Sequence, residues 1–204
     1  MKNVFIINGH QPYPFAKGRL NGTLVQRAQE HLARHGYELK TTEVAQGWDV
    51  EEQLGRHQWA DVVLMQFPVN WMGTPWSFKK YMDEVYSAGM DGRLCAGDGR
   101  HGPDEAHRYG QGGALTDTFY MLSLTFNAPA DAFENPDASF FEGKTVDDLL
   151  WPMHLNLRFF GMNPLPTFSA HDVMKNPQIE RDLERFTAHL QAHFPALSPA
   201  AVAQ

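Results

Sequence analysis

The sequence predicts an α/β chain in which a five-stranded parallel sheet carries helices on both faces. Three observations predict it. Short apolar runs alternate with helix-length periodic stretches along the 204 residues. One run, Val62-Val63-Leu64-Met65-Gln66-Phe67, has the length and β-branched content of a strand buried on both faces. Leu20, Leu24, Ala28 and Leu32 recur every four residues, which marks one face of a helix.

Val4-Phe5-Ile6-Ile7 is the first buried strand, ending at Asn8-Gly9. A loop with Pro12, Pro14 and Gly18 leads into the first helix, which Gly36 stops. Glu38 to Val44 is the second strand, Val50 to Trp59 a short helix, and Asp61 to Phe67 the third strand. Ser77 to Tyr86 is a helix with Ser77 as its N-cap. Ala88 to Thr118 breaks the rhythm: it is glycine-rich, with scattered charges and little periodicity. Loops this long inside a domain are functional lids or disordered segments. Tyr120 to Thr125 is the fourth strand, followed by a second excursion from Phe126 to Lys144. Val146, Leu149, Leu150, Met153, Leu157 and Phe160 make a helical face stopped by Gly161. Pro152 must sit in the first turn of that helix or kink it. Leu165 to Ser169 is a short fifth strand. Asn176-Pro177 starts the last helix, with Asn as N-cap and Pro at the first helical position. One domain spans residues 1–194, and Pro195 to Gln204, rich in Ala and Pro, reads as a flexible tail.

Composition excludes several classes. Charged residues are 20% and apolar residues 43%, as in a globular domain, and the formal charge of -7 gives no basic footprint for nucleic acid. No apolar run approaches the roughly 20 residues needed to span a bilayer. The N-terminus lacks the features of a signal peptide, and a lone Cys95 can form no internal disulfide, so cytoplasm is the expected compartment.

Five strands connected by helices suggest the order 2-1-3-4-5, whose switch point lies between strands 1 and 3. The loops Gly9 to Thr23, Pro68 to Gly73 and Thr125 to Pro129 then converge on one crevice. The first enters a helix N-terminus, where free N–H groups and the helix dipole suit phosphate. Gly18-Arg19-Leu20-Asn21-Gly22-Thr23 adds a cation and polar side chains, without a G-x-G-x-x-G or Walker pattern. The second loop, Val69-Asn70-Trp71-Met72-Gly73-Thr74-Pro75-Trp76, is stiff and aromatic where a surface loop should be polar. It suits a wall for a flat ring, a loop tucked under a helix, or a subunit contact. The third, Thr125-Phe126-Asn127-Ala128-Pro129, could present backbone N–H groups to negative charge, or be a plain turn.

Ile6-Ile7-Asn8-Gly9, Leu20-Asn21, Trp59-Ala60-Asp61-Val62-Val63, Trp71-Met72-Gly73, Pro75-Trp76, Lys79-Lys80-Tyr81, Tyr109-Gly110, Gly112-Gly113, Tyr120 to Thr125, Asn127-Ala128-Pro129 and Pro164-Leu165-Pro166-Thr167-Phe168 occur in this order. Together they resemble the bacterial modulator of drug activity B proteins, NADPH:quinone reductases related to the mammalian DT-diaphorases. The resemblance covers about Asn3 to Phe194. It implies a flavodoxin-like homodimer with non-covalent FAD, an active site at or near the subunit interface, and NADPH as co-substrate. Ala16, Lys17, Gly18, Arg19, Leu20, Asn21, Gly22 and Thr23 would take the diphosphate and adenosine side. Val69, Asn70, Trp71 and Met72 would line the isoalloxazine, and Thr125, Phe126, Asn127 and Ala128 its pyrimidine edge. Tyr109 would contact the flavin or cover the substrate, and Trp71, Met72 and Tyr109 would set the shape of the quinone site. The implied reaction is a ping-pong, two-electron reduction of quinones through the flavin N5, with no catalytic side chain. The mammalian relatives carry a Tyr–His pair near the flavin. The corresponding stretch here, Phe133 to Gly143, has neither, so that relay does not transfer. The alternatives are an FMN-dependent azo- or flavin reductase of the same fold and a flavodoxin-type electron carrier.

His31/His35 and His189/His193 have helical i, i+4 spacing but no third ligand nearby in sequence, so no metal is expected. Cys95 has no partner motif and is read as inert, and His154 as a core hydrogen-bonding group.

Overall fold

A computed structural model describes residues 1–197. Its sheet has the order β2-β1-β3-β4-β5, all parallel, built from β1 (Asn3–Asn8), β2 (Glu38–Glu43), β3 (Val62–Pro68), β4 (Phe119–Thr125) and β5 (Asn163–Pro164), with β6 (Phe168–Ala170) also pairing β4. The expected order is thus observed, with one difference. The predicted fifth strand is two pieces on the same edge of β4. β5 pairs Phe119 and Tyr120, β6 pairs Ser123 to Thr125, and Leu165-Pro166-Thr167 separates them. Pro166 has no N–H to give the ladder, which explains the break.

The helices are α1 (Arg19–Arg34), α2 (Val50–Trp59), α3 (Trp76–Ala88), α4 (Val146–Leu149), α5 (Trp151–Phe159) and α6 (Ile179–His193). Strand residues alternate between two cores. Phe5, Ile7, Val63, Met65, Phe67, Leu122 and Leu124 face the side of α2, α3 and α5, whereas Val4, Ile6, Val62, Leu64 and Met121 face α1 and α6. Every residue of β3 from Val62 to Phe67 is buried, as its unbroken apolar run predicts.

Three boundaries differ from expectation. α3 begins at Trp76 with Pro75 at the cap, and the Ser77 hydroxyl is buried without a partner among the described residues, so Ser77 caps nothing. α6 begins two residues later than Asn176-Pro177 suggests, at Ile179. The helix from Val146 divides at Leu150, and Pro152 occupies the first turn of the second piece, where its missing N–H costs nothing. The Tyr37 hydroxyl donates to the Pro195 carbonyl and Leu197 N–H to His35, while the rest of the expected tail lies outside the described residues.

The glycine-rich excursion is a bonded knot. Ala96 N–H donates to Gly112 O at 2.8 Å and Gly110 N–H to Asp98 O at 2.7 Å. Gly113 lies against the backbone at Phe160 and Gly161, where a Cβ would come within 2.2 Å. Only glycine allows that approach. Among the described residues no helix is long and apolar enough to cross a membrane.

Candidate active site

The carboxyl ends of β1, β3, β4 and β6 open onto a cleft of about 780 Å³. Its floor and one wall are the loop from His10 to Thr23. Opposite lie Pro68, Val69, Asn70, Thr125 and Asn127, and then Val173, Met174, Pro177 and Ile179. The loops after β3 and β4 are tied together, since Val69 N–H donates to Thr125 O at 2.9 Å.

At the centre stands the N-terminus of α1. Gly18 caps it in the left-handed region, at φ 76°, and its Cα faces the His10 ring, which a Cβ would meet at 2.4 Å. Glycine is therefore required twice, by dihedral and by space. The first turn leaves the N–H groups of Arg19, Leu20 and Asn21 without intrahelical acceptors. That turn carries no acid, and Lys17 and Arg19 add positive charge at the mouth. Three N–H donors, a helix dipole and two cations form a fitting set for phosphate oxygens. Burial pushes the His10 imidazole below its ordinary pKa, opposed by a hydrogen bond with the Ala16 backbone, so His10 is a neutral prop beneath the loop.

Asn21 behaves differently from a simple phosphate ligand. Although it touches the cleft, its amide is engaged inward: its Nδ2 donates to Asn8 Oδ1, and its Oδ1 accepts from Gln66 Nε2 at 3.0 Å.

Past β3 the chain makes a two-residue hairpin. Asn70 and Gly73 exchange both backbone hydrogen bonds, at 2.9 and 3.0 Å, and Trp71 and Met72 between them have φ of 48° and 65°. These are positions that Asn-Gly normally fills. Trp71 is 98% exposed and Met72 46%. The positive dihedrals of this exposed Trp-Met pair store backbone strain in the loop after β3. Neither side chain lines the cleft of one chain.

After β4, Phe126 N–H is used by Ala170 O at 2.8 Å, but the Asn127 and Ala128 N–H groups have no acceptor among the described residues. The Phe126 ring turns into the core, stacked 5.1 Å from the His171 ring. Tyr109 is 64% exposed and rests edge-on against Phe159, and neither is a cleft-lining residue. Of the expected residues, Ala16, Lys17, Gly18, Arg19, Leu20, Asn21, Thr23, Val69, Asn70, Thr125 and Asn127 line the cleft. Gly22, Trp71, Met72, Tyr109, Phe126 and Ala128 do not.

Two parts of the wall were missed from the sequence. Tyr13 and Phe15 stack at 5.3 Å on a tight turn closed by mutual Tyr13–Ala16 backbone bonds. Pro12-Tyr13-Pro14-Phe15, apolar inside a polar loop, was the available signal. Val173 to Ile179 follow β6, and in a parallel sheet every strand's carboxyl end opens on the same edge.

His31, His35 and His154 have structural partners. His31 Nε2 lies 3.0 Å from Phe194 O, and His35 Nδ1 lies 2.7 Å from His31 O. His154 sits between the Tyr120 hydroxyl, at 2.7 Å, and Asp147, at 3.2 Å. It is thus a core hydrogen-bonding group.

A parallel sheet of order 2-1-3-4-5 with a phosphate-suited helix N-terminus at its switch point defines a class, and the family model for the flavodoxin-like fold matches residues 2–194. The chain belongs to that family. Within it the chain is 42% identical over 192 residues to the NADPH:quinone oxidoreductase MdaB of Haemophilus influenzae, covering 94% of this chain and 99% of that one. The resemblance to the modulator of drug activity B proteins is thereby borne out. The fold is shared with the NAD(P)H:quinone oxidoreductase of Methanothermobacter marburgensis (TM-score 0.65, 14% identity, 94% of this chain and 97% of that one). It is also shared with general stress protein 14 of Treponema denticola, solved with FMN (TM-score 0.63, 19% identity, 94% and 99%).

Proposed function

We propose that this chain is an FAD-dependent NADPH:quinone oxidoreductase that works as a homodimer. The observation that carries the reading is the two-part cleft around one helix N-terminus. Val69, Asn70, Thr125 and Asn127 form a wall suited to the polar edge and flank of a flavin ring. The α1 N–H groups, Lys17 and Arg19 suit the phosphates. A further apolar and aromatic wall, from Tyr13, Phe15, Val173, Met174 and Ile179, remains for a second ring system. FMN has one ring system and one phosphate and would leave that wall bare. FAD, with its adenine and diphosphate, has a use for it.

When bound, the flavin supplies hydride acceptance from the nicotinamide and hydride donation to the quinone, in alternation. The protein residues bind, orient and exclude water. The free N–H groups of Asn127 and Ala128 are suited to holding negative charge at the ring's edge. Trp71 and Met72, held out at the rim, are placed to clamp a flat quinone once a second copy closes the site. No nucleophile or general base is required of the chain.

The test is an absorption spectrum of the purified protein with mass identification of what heat releases, followed by NADPH-dependent menadione turnover. FAD with turnover sustains the reading. FMN breaks the two-ring part of it, and a colourless protein that takes up no added FAD breaks it whole.

A further inference from the structure

Beneath the cleft a single file of buried polar side chains crosses the molecule. The Ser123 hydroxyl on β4 donates to Gln66 Oε1 on β3, at 2.6 Å. Gln66 Nε2 donates to Asn21 Oδ1 on α1, at 3.0 Å. Asn21 Nδ2 donates to Asn8 Oδ1 on β1. Asn8 Nδ2 donates to Glu43 Oε2 at the end of β2, at 2.5 Å. Asn8 Oδ1 also accepts the His10 N–H, at 3.2 Å, where the cleft loop begins. Gln66 and Ser123 are fully buried, and Asn21 is 3% exposed.

Every bond in this file runs in the same sense. An amide can be turned over, and a chain of amides has two directions. A carboxylate removes that choice, because it only accepts. Glu43, together with the His10 N–H, which only donates, obliges Asn8 to present its NH2 outward and its oxygen inward. That oxygen is then available to both His10 N–H and Asn21. Asn21 is the third residue of α1, so its inward grip holds the very turn whose N–H groups face the cleft. Glu43 itself does not line the cleft.

We propose that Glu43 is a positioning residue for the cofactor cradle, setting the direction of the Asn8–Asn21–Gln66–Ser123 file and through it the geometry of the first turn of α1. This rests on the flavin-binding reading above. Removing the carboxylate leaves a buried donor on Asn8 unsatisfied and the His10 N–H alone to direct the file, a change in the range of about tenfold in affinity.

The experiment is FAD titration of apo-protein by flavin fluorescence quenching, arranged as a double-mutant cycle. Glu43→Leu is expected to weaken FAD about tenfold, and Glu43→Gln to weaken it less, because one acceptor remains. Asn21→Ala weakens it too, and adding Glu43→Leu to that variant costs clearly less than it does in wild type, since only the route through Asn8 and the His10 N–H remains. With flavin saturating, KM for NADPH and quinone in Glu43→Leu, whose side chain does not line the cleft, stays at the wild-type value. An unchanged Kd in Glu43→Leu, or losses that add in full, overturns the proposal. Should Glu43→Leu not fold, the same cycle run with Glu43→Gln decides it. Amide exchange at His10 reads the cradle without any flavin and is expected to quicken in both Glu43 variants. If wild-type protein takes no flavin, the functional reading fails while exchange still tests the file, and unchanged exchange overturns it.

Discussion

Around the N-terminus of α1 the polar side chains satisfy one another inside the chain. Asn21, Asn8, Gln66 and Ser123 are all buried and all bonded, and Gly18 fits against His10 without a Cβ to spare. A few residues past β3 the terms are reversed. Trp71 and Met72 hold left-handed dihedrals that their side chains disfavour, with Trp71 almost wholly and Met72 about half in solvent. Both regions flank one cleft. The first is preorganised by the monomer's own interior. The second is closed by two backbone bonds, and its side chains are left for what the proposed function would bring, a flavin ring, a quinone or a second copy. Cradle substitutions should therefore lower stability and cofactor affinity together, whereas hairpin substitutions should separate stability from turnover.

The largest effect is expected at Gly18. Gly18→Ala forces a Cβ into the left-handed region and onto the His10 ring, which together cost about 2–4 kcal/mol. Calorimetry should show a lowered Tm and flavin titration a lost or greatly weakened site. A variant of wild-type stability that still binds flavin would break the preorganised picture of the cradle.

Acid titration separates the core from both regions. His57 lies wholly buried between Phe5 and Tyr86, and desolvation pushes its pKa down to about 4. The unfolded chain, with an ordinary value near 6.5, binds the proton more readily, so stability is full above about pH 6.5 and falls as pH drops toward 4. The loss attributable to His57 is about 3 kcal/mol at pH 4. His57→Phe should flatten that arm in urea melts at pH 4 and pH 7. An unchanged arm would show that other groups govern acid stability.

The hairpin gives the sharpest test of the comparison. Replacing Trp71-Met72 by Asn-Gly supplies the residues that both dihedrals favour and should raise stability by roughly 1–3 kcal/mol. Menadione turnover should fall about tenfold or more, through lost positioning. If the pair also seals a subunit contact, sedimentation will report a weakened dimer. Equal turnover with higher Tm would make the strain at this site purposeless.

How much of this was legible in the sequence follows the same division. The unbroken β3 run, the four-residue period of α1 and the alternation of strand and helix all report burial, and burial is local in its sequence pattern. The order 2-1-3-4-5 followed from them. The file from Ser123 to Glu43 was not legible. Its members are scattered across five elements, and no periodicity marks an Asn that bonds inward as different from one that faces phosphate. Val173 and Met174 were missed because the crevice was drawn at the switch point from the loops after strands 1, 3 and 4, so the loop beyond the fifth strand was not counted among those that converge. Ser77 and Asn176 were misread as caps because their sequence signals are permissive, and Pro75 and tertiary packing set the starts instead.

The smallest effect is expected at Asn127, and it bears on how negative charge is held beside the flavin. Its side chain is exposed and makes no hydrogen bond among the described residues, and neither its N–H nor that of Ala128 has an acceptor there. If those backbone groups hold the charge, Asn127→Ala should change the rate of flavin reduction by NADPH by no more than about twofold, because the donors survive the substitution. Ala128→Pro removes one donor outright and should slow the same step by more. Stopped-flow reduction of the two variants sets them side by side. Slowing in Asn127→Ala alone would move the role to the side chain. It would also make this loop, like Asn21 in the cradle, a place where an amide's direction decides what the cofactor meets.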